Sequence, residues 1–271
     1  MRGDNHLPTD EPNGVIHPTA VVDPKTKIPN SCKIGPFCVV GPEVTLGEGC
    51  ELLSHVVLSG PLQIGSNNRV FPFTTIGLEP QDLKFKGEVT RVEIGDNNVI
   101  RECVTIHRGT PGGGGVTRMG NNCLLMAYVH IAHDCVVGDH VIMANNATLA
   151  GHVTVENYAT VGAFSPVHQF VRVGAYAYVG GGSVITRDVL PFSRTSAERE
   201  AKAYGVNTVG LQRKGFSKER IVDIQRAFRV LINSKLNTTQ AVEKLKAAGE
   251  LGDDIQKLVS FIESSARGVI K

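Results

Sequence analysis

What this chain lacks excludes several protein classes. Its 271 residues contain no tryptophan and only 6% aromatic residues. No apolar run approaches the ~18 residues that a membrane-spanning helix requires, so we expect a soluble chain without membrane insertion. The six cysteines show no zinc-site spacing, and the formal net charge of +2 is not that of a strongly basic domain. The composition thus predicts no metal and no nucleic-acid partner.

The charges are distributed unevenly along the chain. Residues 192–271 contain 15 basic and 9 acidic residues, a net charge of +6, whereas residues 1–191 contain 13 basic and 17 acidic residues, a net charge of −4. A basic region can attract acidic partners such as a nucleotide diphosphate or an acidic carrier protein. A solvated helix face has the same composition, so charge alone leaves both interpretations open.

An aliphatic residue recurs at every sixth position over most of the first 190 residues. A period of six matches neither the α-helix nor the alternation of a plain strand. It is typical of a parallel β-helix, in which three hexads make one coil and each coil rises by about 4.8 Å. The 26 hexads predict roughly nine coils around one continuous core. The recurring residues are Ile16, Val22, Ile28, Ile34, Val40, Leu46, Leu52, Leu58, Ile64, Val70, Ile76, Ile94, Ile100, Ile106, Met119, Leu125, Ile131, Val137, Met143, Leu149, Val155, Val161, Val167, Val173, Val179 and Ile185.

A smaller residue usually stands two positions before the aliphatic one. Five of the six cysteines occupy that position, and we interpret them as compact core residues. Cys32 and Cys50 should lie within disulfide reach on adjacent coils, yet two reduced thiols in an intracellular protein are the better expectation. The five are Cys32, Cys38, Cys50, Cys123 and Cys135.

Glycine often follows the aliphatic residue, and pairs of asparagines recur just after it. Both residue types tolerate positive φ, so we expect them to form the tight corners between strands. The residues concerned are Gly35, Gly41, Gly47, Gly65, Gly95, Gly120, Gly138 and Gly174, with Asn67–Asn68, Asn97–Asn98, Asn121–Asn122 and Asn145–Asn146.

Two segments interrupt the hexads, residues 77–93 and residues 107–118. We expect both to loop out of the coils. Loops inserted into a rigid solenoid commonly carry function, although a plain surface excursion is the alternative.

The hexads stop after Pro191, and helical patterning begins. Ser217 is placed to cap one helix, Asn237–Gln240 resembles a capping box for a second, and the spacing of Ile255 to Ile262 predicts a last one. This region is expected to cover the open end of the β-helix or to pack against a neighbouring chain. The predicted organisation is a disordered leader (1–13), a β-helix (14–191) and an α-helical domain (192–271).

Counting the hexads in threes places side chains of one face above each other. Four hexads that align in this way contain His107, His133, His152 and His168, and His130 lies at the preceding corner. None of the four occupies an interior position, so we expect them to face outwards or to lie at a corner, as a ladder of imidazoles. Imidazoles can exchange protons near neutral pH, so these histidines are candidates for a functional site. The alternative for each histidine is a structural hydrogen bond to the backbone of a neighbouring coil.

Asp134 directly follows His133. A carboxylate can orient an imidazole base, but neighbouring residues of a strand point to opposite sides, so direct contact between these two side chains is not expected. A main-chain or substrate-binding role of Asp134 is the alternative.

Eight sequence motifs together resemble the acyl-carrier-protein–UDP-N-acetylglucosamine O-acyltransferase family of lipid A synthesis, and the resemblance extends from Val15 to Lys271. The hexads alone are shared by many acyltransferases, whereas the combination of these motifs is specific. The motifs are Ile34–Pro42, Gln81–Lys84, Thr90–Gly95, Val104–Thr110, His130–Cys135, Ala144–Val153, Val167–Phe170 and Gly205–Asn207.

The resemblance implies a left-handed parallel β-helix of roughly nine to ten coils with a C-terminal α-helical domain, and a homotrimer with active sites between subunits. It also implies transfer of an (R)-3-hydroxyacyl chain from acyl carrier protein to the 3-hydroxyl of UDP-N-acetylglucosamine, without a cofactor. His133 matches the general base, and Gly151 matches the residue whose N–H stabilises the oxyanion. Gly181 matches the position that sets acyl length, where glycine implies a long chain.

The remaining matched positions are expected to bind substrate. Asn207 and Arg213 match residues that reach the uridine diphosphate, for which the arginine fork is well suited. The family usually has glutamate where this chain has Val209, so weaker uridine binding is expected. The other matched residues are Asp82, Lys84, His107, His130, Asp134, His152, His168 and Gln169.

Two other functions fit a trimeric β-helix. A γ-class carbonic anhydrase holds zinc with three histidines, and a non-catalytic scaffold would keep the fold without turnover. The helical tail, the two loops and the family motifs argue against the carbonic anhydrase. The expected compartment is the cytoplasm for a bacterial chain and the mitochondrial matrix, after leader removal, for a plant chain.

Overall fold

The computed structural model describes residues 15–196, 198, 201–232, 234 and 236–271. The predicted disordered leader, residues 1–13, lies outside the described residues. The strands are β1 (Val21–Val22), β2 (Lys33–Ile34), β3 (Val39–Val40), β4 (Val44–Leu46), β5 (Glu51–Leu52), β6 (Val57–Leu58), β7 (Leu62–Ile64), β8 (Arg69–Val70), β9 (Thr75–Leu78), β10 (Arg91–Ile94), β11 (Val99–Ile100), β12 (Thr105–His107), β13 (Val116–Met119), β14 (Leu124–Leu125), β15 (His130–Ile131), β16 (Val136–Val137), β17 (Ile142–Met143), β18 (Thr148–Leu149), β19 (Thr154–Val155), β20 (Thr160–Val161), β21 (Pro166–Val167), β22 (Arg172–Val173), β23 (Tyr178–Val179), β24 (Ser193–Thr195) and β25 (Ala203–Val206). The helices are α1 (Thr208–Arg213), α2 (Lys218–Ile232), α3 (Thr238–Ala247) and α4 (Asp253–Glu263).

The strands form three sheets, and consecutive strands along the coils belong to different sheets. Sheet 1 has the order β1-β3-β6-β9-β12-β15-β18-β21, sheet 2 has β4-β7-β10-β13-β16-β19-β22, and sheet 3 has β2-β5-β8-β11-β14-β17-β20-β23-β24-β25. The pairing is parallel apart from the antiparallel pair β24–β25. The chain therefore winds from sheet 3 to sheet 1 to sheet 2 in every coil, and the predicted triangular β-helix is confirmed. We call its three corners edge 3/1, edge 1/2 and edge 2/3, after the sheets that they join.

The predicted hexad residues form the interior of the prism. Ile106, Ile131, Leu149 and Val167 are paired across four adjacent strands of sheet 1, and each is at most 2% exposed. Because every coil repeats the same positions, aliphatic side chains stack on one another, and their removal from water stabilises the fold. The first coil is less covered, since Ile16 is 47% exposed.

The corners are built differently from the prediction. Left-handed φ values occur mainly at non-glycine residues three positions after the aliphatic one, among them Asp134 (59°) and His152 (62°). The glycines that follow the aliphatic residue serve another purpose. A Cβ built on Gly35 would lie 2.9 Å from the carbonyl carbon of Leu53 in the next coil, so glycine permits the close stacking of coils. Corner asparagines such as Asn67 (56°) do adopt positive φ, as predicted.

The five interior cysteines are buried free thiols, which confirms their interpretation as core residues. Burial raises the pKa of Cys123 to about 11 and the pKa of Cys135 to about 12. These thiols therefore stay protonated near neutral pH and behave as small apolar side chains.

Both interruptions of the hexads leave the coils at edge 1/2. Loop 1, residues 79–90, connects β9 to β10, and loop 2, residues 108–115, connects β12 to β13. Both are shorter than predicted, because the strands extend into the segments 77–93 and 107–118. Arg108 links the loops: its guanidinium lies 3.4 Å from Glu79 and 5.3 Å from the ring centre of Phe85. The two loops thus form one unit over this edge.

The helical tail packs on the last coil of its own β-helix. Leu190 and Phe192 share one core with the buried faces of the four helices. Arg172 of β22 joins the two parts, because its side chain donates to the carbonyl of Phe261 in α4 at 2.8 Å and to the buried carboxylate of Asp188 at 3.0 Å. Of the two predicted placements, covering the open end is therefore the one observed.

The predicted helix starts are confirmed in the tail. Ser217 Oγ accepts a hydrogen bond from the backbone N–H of Arg220 at 3.3 Å, and Asn237 forms a reciprocal capping box with Gln240. Before the helices, β24 and β25 extend sheet 3, which the sequence did not predict. The division into domains at Pro191 stays a prediction. Within the described residues, no helix combines the length and apolarity that crossing a membrane requires.

Candidate active site

His133 and Asp134 form a direct pair at edge 1/2. His133 Nδ1 lies 2.8 Å from Asp134 Oδ2, so the expectation that these side chains do not meet is wrong. Both residues lie in the turn after β15, and Asp134 has a left-handed φ of 59°. The alternation of side chains along a strand does not apply in such a turn.

The carboxylate of Asp134 is buried beneath loop 2. Its side chain is 0% exposed, its Oδ1 accepts the backbone N–H of Thr110 at 2.8 Å, and its Oδ2 accepts the Thr110 hydroxyl at 2.6 Å. An ionised carboxylate only accepts hydrogen bonds, so the third bond is donated by His133 Nδ1–H. Nε2 of His133 is then left with its lone pair, as a proton acceptor requires.

Gly151 lies against the ring of His133. A Cβ built on Gly151 would be 2.5 Å from Cε1 and 2.8 Å from Nε2 of that ring, so no side chain fits here. Within the described residues the Gly151 backbone N–H has no hydrogen-bond acceptor. A free backbone donor therefore adjoins the free imidazole nitrogen, and acyl transfer needs both a base and an oxyanion donor.

His152 stands beside this pair. Its Nδ1 is 3.9 Å from Asp134 Oδ2, its ring meets that of His133 edge-on at 5.2 Å, and Phe170 stacks on it at 4.3 Å. Burial lowers the pKa of His152, and the negative charges of Asp134 and Asp82 oppose that shift.

His107 and His130 form a second histidine pair. Their rings meet edge-on at 5.0 Å, and His130 Nδ1 is 2.6 Å from the Thr105 hydroxyl. Burial, reinforced by the neighbouring histidines, lowers the pKa of His130 to about 4, and burial also lowers the pKa of His107. His130 is therefore neutral near neutral pH. His107 Nδ1 is buried without a hydrogen-bond partner in the described part of the chain.

The predicted ladder is confirmed in part, because His133, His152 and His168 lie at edge 1/2 in three adjacent coils. His107 is buried, and His130 lies in β15 rather than at a corner. The four histidines stand one, two, three and one positions after the aliphatic residue of their hexads, so they do not all occupy equivalent positions of the coil. The structure instead pairs His133 with His152 and His107 with His130.

His168, Gln169 and Lys84 are exposed. His168 follows β21 in an adjacent coil, and its Nδ1 lies 3.2 Å from the carbonyl of Gln169. Lys84 lies in loop 1, where its backbone N–H donates to Asp82 Oδ1 at 3.0 Å. The substrate-binding roles of these residues stay predictions.

The ligand atoms of His133, Asp134 and His152 all lie within 4.8 Å of one another, a spacing at which such groups can hold a metal ion. The Asp134 oxygens, however, already accept three hydrogen bonds, one of which comes from His133. The set also has two histidines, whereas the carbonic anhydrase alternative needs three. The arrangement fits an oriented imidazole base better than a zinc centre.

A cavity of about 500 Å³, which we call the α1 cavity, lies between the outer face of sheet 3, edge 2/3 and α1. Asn207 caps α1, and its side chain accepts the Gly210 N–H at 3.2 Å and donates to the Tyr176 carbonyl at 3.1 Å. Arg213 and Val209 line the same cavity. Its other lining residues are Ile142, Tyr158, Thr160, Tyr178, Arg194 and Lys214. Basic and aromatic side chains together suit a phosphorylated nucleotide.

The predicted site residues therefore lie at three different edges of one chain. His133 and Gly151 are at edge 1/2, and Asn207 and Arg213 are near edge 2/3. Gly181 follows β23 at edge 3/1, where a Cβ would lie 3.3 Å from the carbonyl oxygen and 3.7 Å from the backbone nitrogen of Ala163.

Known proteins share this combination of repeat and tail. Residues 188–270 match the family model described as UDP N-acetylglucosamine O-acyltransferase, domain 2, and residues 25–60 and 117–151 match bacterial transferase hexapeptide repeats. An acyl-[acyl-carrier-protein]–UDP-N-acetylglucosamine O-acyltransferase of Thermodesulfovibrio yellowstonii is 49% identical over 84% of this chain and 88% of its own length. This chain belongs to the UDP-N-acetylglucosamine O-acyltransferase family.

Two further members of the UDP-N-acetylglucosamine O-acyltransferase family match over almost the whole length. The enzyme of Syntrophobacter fumaroxidans is 44% identical over 94% of this chain and 99% of its own. The solved structure of Francisella novicida UDP-N-acetylglucosamine acyltransferase superposes with a TM-score of 0.92, at 41% identity over 94% of each chain. These matches confirm the predicted left-handed β-helix and its helical C-terminal part.

Sequence reasoning missed three residues at the site of this O-acyltransferase family member. Thr110 bonds the Asp134 carboxylate twice, Thr117 Oγ1 accepts the Asp134 backbone N–H at 2.8 Å, and Phe170 stacks on His152. Thr110 and Phe170 each end a family motif, but their local sequence does not show which side chain they contact. Hexad counting would have placed Phe170 one coil after His152.

Proposed function

We propose that this chain transfers an (R)-3-hydroxyacyl group from acyl carrier protein to the 3-hydroxyl of UDP-N-acetylglucosamine, the first step of lipid A biosynthesis. The observation that carries the proposal is the imidazole of His133, tied through Nδ1 to the buried Asp134 carboxylate and adjoining Gly151 through its other nitrogen. Family membership supplies the substrates. Because the named relatives are bacterial, we also propose the bacterial cytoplasm as the compartment.

In this reaction His133 is the general base. A sugar hydroxyl is too weakly acidic to attack a thioester unaided, so Nε2 takes its proton while the oxygen bonds to the thioester carbonyl carbon. The Gly151 N–H stabilises the oxyanion that forms. When the tetrahedral intermediate collapses, the C–S bond breaks and the carrier thiolate receives the proton from the imidazolium. Asp134 stabilises that imidazolium in the interval.

The surrounding histidines act as neutral groups. Burial lowers the pKa values of His107 and His130, so neither competes with His133 as a cation near neutral pH. His107 and His130, whose rings meet edge-on at 5.0 Å, are proposed to line the substrate site. His152, His168 and Gln169, with Asp82 and Lys84 of loop 1, complete the predicted binding surface.

The α1 cavity is proposed to bind the uridine diphosphate. Arg213 and Lys214 bring positive charge to a pocket floored by tyrosine rings, and Asn207 holds the start of α1 in place. Val209, 58% exposed, leaves this cavity without the glutamate usual in the family. Weaker uridine binding than in family members with glutamate is therefore expected.

A homotrimer would unite the groups that one chain separates. In a closed threefold assembly, edge 1/2 of one subunit can face another edge of its neighbour. Edge 3/1 carries an apolar strip that such a contact would cover, and Gly181 lies on the same edge, in position to limit the acyl chain. The strip consists of Phe37, Phe73, Tyr128 and Phe164, which are 55%, 59%, 60% and 67% exposed. Sedimentation tests the assembly, and a fully active monomer would contradict it.

The decisive assay supplies UDP-N-acetylglucosamine with a panel of 3-hydroxyacyl carrier proteins of different chain length. We expect turnover with long 3-hydroxyacyl donors in metal-free buffer. Activity that is lost on chelation, together with stoichiometric zinc and CO2 hydration, would instead identify a carbonic anhydrase. Absence of transfer from every donor would leave a scaffold.

A further inference from the structure

Loop 2 is folded over the carboxylate of Asp134. A Cβ built on Gly113 would overlap the carboxyl carbon and both of its oxygens, and a Cβ built on Gly109 would lie 2.8 Å from Oδ1. Only glycine lets the loop approach this closely. The carboxylate is therefore shielded from water by backbone, which explains its complete burial.

The backbone N–H groups of this glycine-rich loop do not form an anion cradle. Those of Gly113 and Gly115 donate to the carbonyl of Thr110 at 3.0 and 2.9 Å, and that of Gly114 donates to the carbonyl of Pro111 at 3.4 Å. In a phosphate-binding loop such groups face the ligand. Here they close the loop on itself and hold Thr110 in a fixed position.

Thr110 connects the closed loop to Asp134. Its backbone N–H and its hydroxyl bond separate oxygens of the carboxylate, at 2.8 and 2.6 Å, and the residue is only 6% exposed. Two donors from one residue fix both the position and the plane of the carboxylate. Oδ2 is thereby held against Nδ1 of His133.

We propose that Thr110 and Gly113 are positioning residues for the base. They hold the Asp134 carboxylate so that His133 keeps its proton on Nδ1 and presents a bare Nε2 to the substrate. The proposal rests on the proposed function, in which His133 is the base. Thr110 acts through Asp134, because its backbone N–H and its hydroxyl both donate to that carboxylate.

The first test removes the hydroxyl. Thr110→Val should lower kcat about 10- to 100-fold, the worth of a hydrogen bond to a charged group, with KM for UDP-N-acetylglucosamine unchanged. Thr110→Ser should restore kcat. In an Asp134→Asn background, Thr110→Val should lower kcat no further, because residues that act through one another are not additive. A full additional loss in that background would overturn the proposal.

The second test uses neighbouring glycines. Gly113→Ala places a methyl group where the carboxylate lies and should lower kcat at least as much as Thr110→Val. Gly112→Ala is the matched control, because nothing lies within 4 Å of a Cβ at Gly112, and it should keep the wild-type kcat. Equal kcat values for the two variants would contradict the proposal. If thermal unfolding shows that Gly113→Ala is misfolded, the threonine series decides.

A spectroscopic reading separates positioning from general structure. In protein with 15N-labelled histidine, His133 should be the Nδ1–H tautomer in the wild type and a mixture of tautomers in Thr110→Val. A wild-type kcat and an unchanged tautomer in Thr110→Val would contradict the positioning role. If His133→Ala still abolished transfer, the proposed function would stand. Retained transfer in His133→Ala would instead remove the proposed function itself.

Discussion

Two corners of the same prism adopt the same backbone conformation and have different roles. At edge 1/2 the left-handed positions of successive coils hold Asp134, His152 and Phe170, whereas at edge 2/3 they hold His140 and Tyr158, with Tyr176 and Phe192 continuing the column. His152 stacks on Phe170 at 4.3 Å, and His140 stacks on Tyr158 at 4.6 Å. The local geometry of the two histidines is therefore alike.

The inserted loops make the difference. At edge 1/2, loop 2 buries the Asp134 carboxylate next to His133, and Arg108 of loop 2 holds loop 1 through Glu79. At edge 2/3 the aromatic column continues to Phe216 of the helical tail, so the corner serves to dock another part of the chain. The regular repeat thus provides equivalent positions at each edge. The loops that interrupt the repeat determine which of these positions form the candidate active site.

The largest effect that would separate the two edges is expected at His133. His133→Ala should lower kcat about 10²- to 10⁴-fold, because the proton acceptor is lost, while the oligomeric state and the thermal unfolding temperature stay the same. His140→Ala, at the other edge, should keep a kcat close to wild type. Similar kcat values for the two variants, measured by steady-state acyl transfer, would erase the distinction.

A smaller loss is expected at Gly151. Gly151→Ala places a Cβ 2.5 Å from Cε1 of His133, so the ring or the backbone must shift. Displacing the oxyanion donor should lower kcat about 10²-fold or more. Gly252→Ala in the tail is the control, since a Cβ there meets nothing within 4 Å. Wild-type turnover of Gly151→Ala would show that this backbone does not take part.

Burial of His130 should make the free energy of unfolding depend on pH. The folded-state pKa of His130 is lowered to about 4, below its unfolded value, so the unfolded chain binds the proton more readily. Stability is then fully present above pH ~6.5 and is lost as pH falls toward 4, by between about 1 and 3 kcal/mol. His130→Gln should flatten the urea-unfolding free energy over this window, and an unchanged slope would contradict the burial argument.

The smallest effect is expected in the cavity near edge 2/3. Arg213→Ala should raise KM for UDP-N-acetylglucosamine about tenfold with little change in kcat, because a phosphate contact contributes to binding rather than to chemistry. Arg226→Ala is a suitable control, since its guanidinium pairs with Asp223 at the exposed surface of α2. A drop in kcat with unchanged KM would move Arg213 into the reaction itself.

The fold was predictable because every coil repeats the same interior positions. The period also placed His133 and Asp134 near the loops. It did not predict their contact, because a repeat shows which positions recur but not the φ of 59° that Asp134 adopts. Nor did the repeat predict the burial of His107, whose ring meets that of His130 edge-on at 5.0 Å. Thr110 was missed because its partner is 24 positions away across a loop.

The main proposal is that His133, the base at edge 1/2, activates the 3-hydroxyl of the sugar. Its most direct test is acyl transfer from a long 3-hydroxyacyl carrier protein to UDP-N-acetylglucosamine and to the 3-deoxy analogue, with the product analysed by NMR. We expect an ester at O3 of the first substrate, no product from the second, and loss of the ester in His133→Ala. An acylated 3-deoxy product, or an unchanged yield of O3 ester from His133→Ala, would contradict it.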